Sequence, residues 1–154
     1  MQADEDTRSQ VIAALARLCA LATAQDPALR SEFAGDADVL VLGSEAGELA
    51  EGQEGLDAFV RGLSRSATRY SWRWRRQAVS CAGDIAWLYA DGEVTAHEVS
   101  GEERRPYRLT GVLERIEGSW LWRQFHGSSR GSPNSRADGV GGEGLLRDGD
   151  VSWR

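Results

Sequence analysis

The sequence is distinctive first for what it lacks. Among 154 residues there is no lysine, so all 18 basic residues are arginines, and 24 acids outnumber them. The two cysteines, Cys19 and Cys81, have no metal-type spacing and are too few for a disulfide scaffold. No apolar run approaches the roughly 20 residues that a membrane-spanning helix needs, and the acidic start differs from a signal peptide. We therefore expect a cytoplasmic protein with no membrane partner.

What is present suits one folded domain. The chain is 41% apolar and contains six tryptophans, enough to build a core at this length. Residues 130–154 differ from the rest because glycine and serine recur and apolar residues are sparse. We expect a single domain over residues 1–129 and a Gly/Ser-rich flexible tail over 130–154.

Apolar periodicity predicts the elements. Spacings of three and four residues indicate helices over 7–24 and 54–63, with a short helix over 26–33. Short strands are predicted at 39–42 and 48–52. Four longer strands follow, beginning at Tyr70, Ile85, Arg105 and Ser119, and Gly118 marks the last hairpin. Helices followed by a run of strands predict an α+β fold with a mainly antiparallel sheet.

A cluster of six arginines lies within residues 61–76 without any acid. In isolation, arginines interleaved with Tyr70, Trp72 and Trp74 would suggest nucleic-acid binding. Strand alternation instead puts the rings on one face, where we expect them to join the core, and the arginines on the other, solvated face, and the rest of the chain is strongly acidic. We expect no nucleic-acid partner.

Four stretches together resemble the SnoaL-like branch of the nuclear transport factor 2 (NTF2) fold. They are Phe33-Ala-Gly-Asp36, Gly43-Ser-Glu-Ala-Gly-Glu48, Gly83-Asp-Ile-Ala-Trp87, and Gly118-Ser-Trp120 with His126-Gly-Ser128. The resemblance implies a cone, in which a curved sheet packs around a long N-terminal helix. It also implies a sheet-mediated homodimer. The family includes isomerases, dehydratases, epoxide hydrolases and polyketide cyclases alongside members without catalysis, so the fold does not fix the function.

The sequence departs from the resemblance at two places. Similar members often carry two histidines at alternate positions of the last strand, and Gln124 occupies the first of these positions here. An amide cannot transfer protons at useful pH. The first helix also lacks the tyrosine that donates to an oxyanion in the isomerases, so we do not carry that mechanism over.

Alternation along the last strand places Trp120, Trp122, Gln124 and His126 on one face. If that face lines the cone, it forms an aromatic wall with one amide and one imidazole, to which Trp87 and Tyr89 of the preceding strand are expected to add. Few polar groups in an apolar cavity are typical of a small-molecule site. We predict a small hydrophobic or aromatic ligand, with no cofactor or metal.

His126 is the best candidate for acid–base chemistry, since imidazole titrates near neutral pH. Its partner would be Asp36, where the family places an acid, or Glu48, at the mouth of the first hairpin. The alternatives are structural: His126 hydrogen-bonded at the sheet end, Asp36 in a turn, and Glu48 exposed. His97, beside the acidic stretch 98–103, is expected to be an exposed hairpin residue.

Both faces of the strand at 85–90 and of the last hairpin are apolar, although a one-sided antiparallel sheet should alternate. The second face is expected to meet another copy in a homodimer, or else the C-terminal tail. Three functions stay open: a ligand-binding protein, an acid–base enzyme of the cyclase, dehydratase or epoxide-hydrolase kind, and a dimerisation module with a filled cone.

Overall fold

The structure, a computed structural model, describes residues 1–44 and 48–129. The predicted tail, 130–154, lies outside the described residues. The helical part consists of α1 (Glu5–Ala24), a 3-10 helix (Pro27–Glu32) and α2 (Gly52–Arg65). The strands are β1 (Leu40–Leu42), β2 (Leu49–Glu51), β3 (Arg69–Ala82), β4 (Ile85–Glu98), β5 (Gly101–Ile116) and β6 (Ser119–Ser129). The predicted order of elements is therefore confirmed.

The six strands form one sheet in the order β2-β1-β6-β5-β4-β3. All neighbours are antiparallel except β1 and β6, which run parallel. The sheet curves and does not close, and α1 packs inside the curve. This confirms the α+β class and the cone-shaped, mainly antiparallel sheet around a long N-terminal helix.

The core lies between the helices and the concave face of the sheet. Leu15 of α1 and Leu56 of α2 are fully buried, as are Leu109 and Leu113 of β5. Gln25 joins the ends of the two helices, because its Nε2 donates to the carbonyl oxygens of Leu63 (3.0 Å) and Ser66 (2.8 Å). In the described part of the chain, neither helix is long and apolar enough to cross a membrane.

A β-bulge in β6 changes which side chains face the core. Leu113 pairs with Trp122 and Val112 pairs with Gln124, so Arg123 is left out of the backbone register with β5. Because one extra residue shifts the two-residue alternation by one position, side chains beyond the bulge exchange faces. The predicted common face of Trp120, Trp122, Gln124 and His126 is therefore wrong beyond Trp122.

The convex face of the sheet carries large apolar side chains. Ile85 is 38% exposed and Trp87 is 43% exposed, and Val112 and Leu121 are half-buried beside them. Along β4 the alternate residues, such as Ala86 and Leu88, are buried in the core. The strand thus has one core face and one exposed apolar face.

Candidate functional site

A cavity of about 480 Å³ lies inside the cone. Its walls come from every layer of the fold and are mostly apolar: Leu18, Ala22, Leu29, Phe33, Phe59, Leu63, Val94 and Phe125. A volume of this size accommodates a drug-sized molecule. The interior is therefore open, and side chains of the cone do not fill it.

Glu48 brings a carboxylate to the mouth of this cavity. The Gly43 N–H donates to the Glu48 carbonyl oxygen (2.7 Å), which closes the β1–β2 hairpin. The side chain then folds back over Gly43, where an added β-carbon would overlap Glu48 Oε2. Glu48 is exposed, and it lines the cavity beside Ser44. Glycine at position 43 thus lets the carboxylate lie across the hairpin.

Tyr107 contributes a polar side chain to the wall of the cavity. Tyr107 points to the inner face of the sheet, as Leu109 does two residues later on β5. Its hydroxyl packs against Gly127, where an added β-carbon would overlap the phenol oxygen. Burial raises the pKa of Tyr107 far above its usual value, and the negative charge of Glu48 adds to the increase. The phenol therefore stays protonated and can donate a hydrogen bond.

Trp72 packs against this tyrosine. The two rings meet edge to face, with centroids 6.2 Å apart and planes at 66°. The indole Nε1–H is buried and has no hydrogen-bond partner among the described residues. The indole lowers the pKa of Tyr107, and the larger effect of burial outweighs this decrease.

The structure separates most of the predicted site residues from the cavity. Trp122 is 0% exposed and belongs to the core, where its ring lies over Gly111. Gln124 and His126 face outward because of the bulge, and His126 is exposed. Trp87 and Tyr89 line a shallow depression on the convex face together with Gln124. The predicted cone wall built from these residues is wrong.

Asp36 also lies outside the cavity. The Ala34 N–H donates to the Trp122 carbonyl oxygen (3.0 Å), which aligns this segment with the bulge and brings Asp36 onto Arg123. Arg123 also pairs with Glu114 (2.5 Å). Hydrogen bonding by Arg123 holds the pKa of Asp36 below its usual range. Asp36 is thus an ion-pair partner that fastens the loop to β6, and of the three predicted catalytic residues only Glu48 lines the cavity.

Sequence reasoning missed Tyr107 as a site residue. A usable signal was present, since Tyr107, Leu109, Gly111 and Leu113 recur at every second position of β5. Tyr70 and Trp72 were predicted to be inward-facing core rings, and they line the cavity. Within residues 1–44 and 48–129, no group of three His, Cys, Asp or Glu side chains has an arrangement suited to a metal ion.

A family model described as a SnoaL-like domain matches residues 11–130. The chain belongs to the SnoaL-like domain family. This confirms the resemblance seen in the four sequence stretches, and no curated protein is a detectable sequence relative of the chain.

Three solved structures are similar to this SnoaL-like domain. An NTF2-like family protein from Streptomyces avermitilis has a TM-score of 0.74 at 16% identity, covering 84% of this chain and 100% of its own. A protein from Catenulispora acidiphila, solved in complex with S-DNPA, has a TM-score of 0.70 at 14% identity, covering 82% and 95%. A cystatin-like protein of unknown function from Nostoc punctiforme has a TM-score of 0.67 at 15% identity, covering 87% and 97%. At these identities the likeness is one of fold.

Proposed function

We propose that this SnoaL-like domain binds an apolar, ring-containing small molecule inside the cone, through an oxygen atom that accepts a hydrogen bond from Tyr107. The observation that carries the proposal is an open apolar cavity of about 480 Å³ with a protonated phenol in its wall. Apolar walls supply affinity, and a single donor in a low-dielectric space orients the ligand. The structure of the Catenulispora acidiphila protein with a bound small molecule supports ligand binding by this fold.

The test uses 2-acetylnaphthalene, a flat aromatic ketone, as the probe. A ligand that binds only the folded protein raises its melting temperature, by the equivalent of about 2.7 kcal/mol at 100 times Kd. Ala58 of α2 is exposed and lines the cavity, so Ala58→Trp should block the mouth without disturbing the core. Ala24→Trp, at an exposed helix position away from the cavity, is the control. Equal binding by both variants would show that the ketone binds elsewhere.

A specific observation also favours acid–base catalysis in the same cavity. Glu48 and Tyr107 both line this cavity, so a carboxylate and a phenol that burial keeps protonated face the same space. A carboxylate could then remove a proton next to a ligand carbonyl while the phenol stabilises the enolate oxygen. In this mechanism Tyr107 takes the place of the predicted His126, and Glu48 remains the candidate carboxylate.

Deuterium exchange distinguishes binding from catalysis. In deuterated water, an acid–base site exchanges the methyl protons of bound 2-acetylnaphthalene, which nuclear magnetic resonance detects. Glu48→Gln should keep ketone binding and reduce the exchange by about 100-fold or more. Binding without exchange above the buffer rate would limit the function to ligand binding.

We further propose that two copies pair through the convex face of the sheet. The exposed side chains of Ile85 and Trp87 support this, because a solvated face should carry polar residues. The ion pair Arg108–Asp91 lies on the same face of β4 and β5 as this patch, so a twofold axis can bring opposite charges together. Light scattering at micromolar concentration should show a dimer that Trp87→Glu dissociates, while Val99→Glu at a hairpin tip leaves it intact. A monomeric wild-type protein would refute the pairing.

A further inference from the structure

A serine, a histidine and a glutamate form a hydrogen-bonded chain at the far end of the convex face. The Oγ of Ser71, on β3, lies 2.8 Å from Nε2 of His97. The Nδ1 of His97 lies 2.9 Å from Oε1 of Glu102, on β5. Glu102 pairs directly with His97 in the sheet, and Ser71 is diagonal to it. Both distances fall within the range that nucleophile, base and orienting acid require.

The acid fixes the proton positions in this chain. A carboxylate only accepts hydrogen bonds, so the His97 Nδ1 must carry the hydrogen that Glu102 receives. In the neutral ring, Nε2 is then an acceptor, and the Ser71 hydroxyl donates to it. This is the tautomer in which an imidazole can take the proton of an attacking serine. We expected His97 to be an exposed hairpin residue. The structure instead places its ring between two hydrogen-bonding side chains.

Three arginines neighbour Ser71 on its face of the sheet. Arg69 and Arg73 flank Ser71 at alternate positions of β3 and so share its face, and Arg104 pairs with Thr95, which itself pairs with Ser71. No acid in the described part of the chain lies within salt-bridge distance of these three guanidinium groups. They are available to hold an anionic group and to stabilise charge that develops on a reacting oxygen.

We propose that Ser71, His97 and Glu102 form a nucleophilic site that cleaves acyl esters carrying a negatively charged group. Ser71 Oγ attacks the carbonyl carbon and passes its proton to His97 Nε2, and the bond from that carbon to the alcohol oxygen breaks as His97 protonates the leaving oxygen. His97 then takes a proton from a water molecule, which attacks the carbonyl carbon of the acyl–Ser71 ester. The bond to Ser71 Oγ breaks, and His97 returns the proton to that oxygen. The net reaction converts ester and water to acid and alcohol.

The position of the site shapes its substrate. Ser71 and His97 are partly exposed to solvent in the described part of the chain, so we assign activated esters rather than amides to this site. The site lies about 33 Å along β4 from Trp87, at 3.3 Å per residue, and is therefore separate from the proposed dimer patch. It is equally independent of the internal cavity, so the outcome of its test does not depend on ketone binding.

The experiment measures acylation of the full chain by mono-4-nitrophenyl succinate, with neutral 4-nitrophenyl acetate as the comparison. Nitrophenolate release gives the rate, and peptide mass mapping locates the acyl group. The absence of lysine leaves few competing amino groups. We expect an acyl group on Ser71 of the wild-type protein and no acyl group in Ser71→Ala. In His97→Gln the rate of nitrophenolate release should fall by at least about 100-fold. Ser80→Ala, on the same strand and face, is the matched control and should keep the wild-type rate.

Glu102 acts as a positioning residue, so its test needs a conservative rescue. Glu102→Gln should slow acylation without changing the melting temperature, and Glu102→Asp should recover most of the rate because it keeps a carboxylate. The succinate ester should react at least about tenfold faster than the acetate at low salt, and lose this advantage in 1 M salt or in Arg69→Gln with Arg73→Gln. No acyl-protein, an acyl group on another residue, or a wild-type rate in Ser71→Ala would overturn the proposal. Equal rates for the two esters would overturn the anionic substrate class.

Discussion

Removing the Tyr107 hydroxyl tests the proposed ligand donor directly. Tyr107→Phe deletes one oxygen from the cavity and keeps the ring, its edge contact with Trp72 and the packing on β5. The hydroxyl lies against Gly127, where there is no side chain, so its loss leaves only a small space. We expect the folded protein to be nearly as stable as the wild type.

The magnitude follows from a single neutral hydrogen bond. Such a bond contributes about 0.5–1.5 kcal/mol, which corresponds to roughly a 2- to 12-fold increase in Kd for an aromatic ketone. A hydrocarbon of the same shape, 2-ethylnaphthalene, has no acceptor and should bind both proteins equally. The change in Kd for the ketone, compared with that for the hydrocarbon, therefore measures the contribution of the hydroxyl separately from that of the apolar walls.

The pH dependence provides a second signature. An exposed tyrosine ionises near pH 10. Because burial raises the pKa of Tyr107 well above that value, the hydroxyl remains a donor and ketone binding should stay constant up to about pH 10. Titration calorimetry or quenching of tryptophan fluorescence measures both effects.

The control is Tyr89→Phe, which removes a hydroxyl from the convex face. Tyr89 lies outside the cavity, so this variant should bind the ketone as the wild type does. The reasoning is refuted if Tyr107→Phe binds ketone and hydrocarbon with wild-type affinities. It is equally refuted if Tyr89→Phe alone weakens ketone binding, because the ligand would then lie on the convex face.

Three further predictions follow from the packing. Gly127→Ala forces a β-carbon into the Tyr107 hydroxyl and should lower the free energy of unfolding by about 1–3 kcal/mol in urea melts, with partial recovery when Tyr107→Phe is added. The depressed pKa of Asp36 contributes stability that is present above about pH 4 and lost as the pH falls, so Asp36→Asn should destabilise the protein at pH 7 and differ little from wild type at pH 2. Burial raises the pKa of Cys19 to about 12, so iodoacetamide at pH 8 should alkylate Cys19 in urea and spare it in the folded protein, as mass spectrometry would show.

The sequence was sufficient for the elements and for the alternation that local pattern controls. Tyr70 and Trp72 face inward as predicted, because β3 keeps an unbroken two-residue period up to Trp74. The last hairpin turns at Glu117 and Gly118, which both adopt positive φ, as the glycine signal indicated. These features depend on residues close together in the chain.

The candidate site could not be predicted in the same way, because tertiary contacts decide which side chains of β6 face the core. No glycine or proline marks the bulge at Arg123. The ring of Trp122 lies over Gly111 of the neighbouring strand, and Arg123 extends to Asp36 and Glu114. These contacts lie at least nine residues away in sequence, so a period-two pattern carries no information about them.

The bulge also decides which chemistry the cone can perform. It turns Gln124 and His126, which occupy the two positions where the resemblance expects histidines, onto the convex face. The acid–base capacity of the cavity then depends on groups from other strands, namely Tyr107 of β5 and the carboxylate of Glu48 that follows β1. Because Arg123 is the extra residue, deleting it should join Trp122 directly to Gln124 and keep the pairings Leu113–Trp122 and Val112–Gln124, so that Phe125 stays inward and His126 stays outward. Peptide mapping after reaction with diethyl pyrocarbonate measures the exposure of His126, and a deletion variant in which His126 became protected would show that the extra residue is not what sets the faces of this strand.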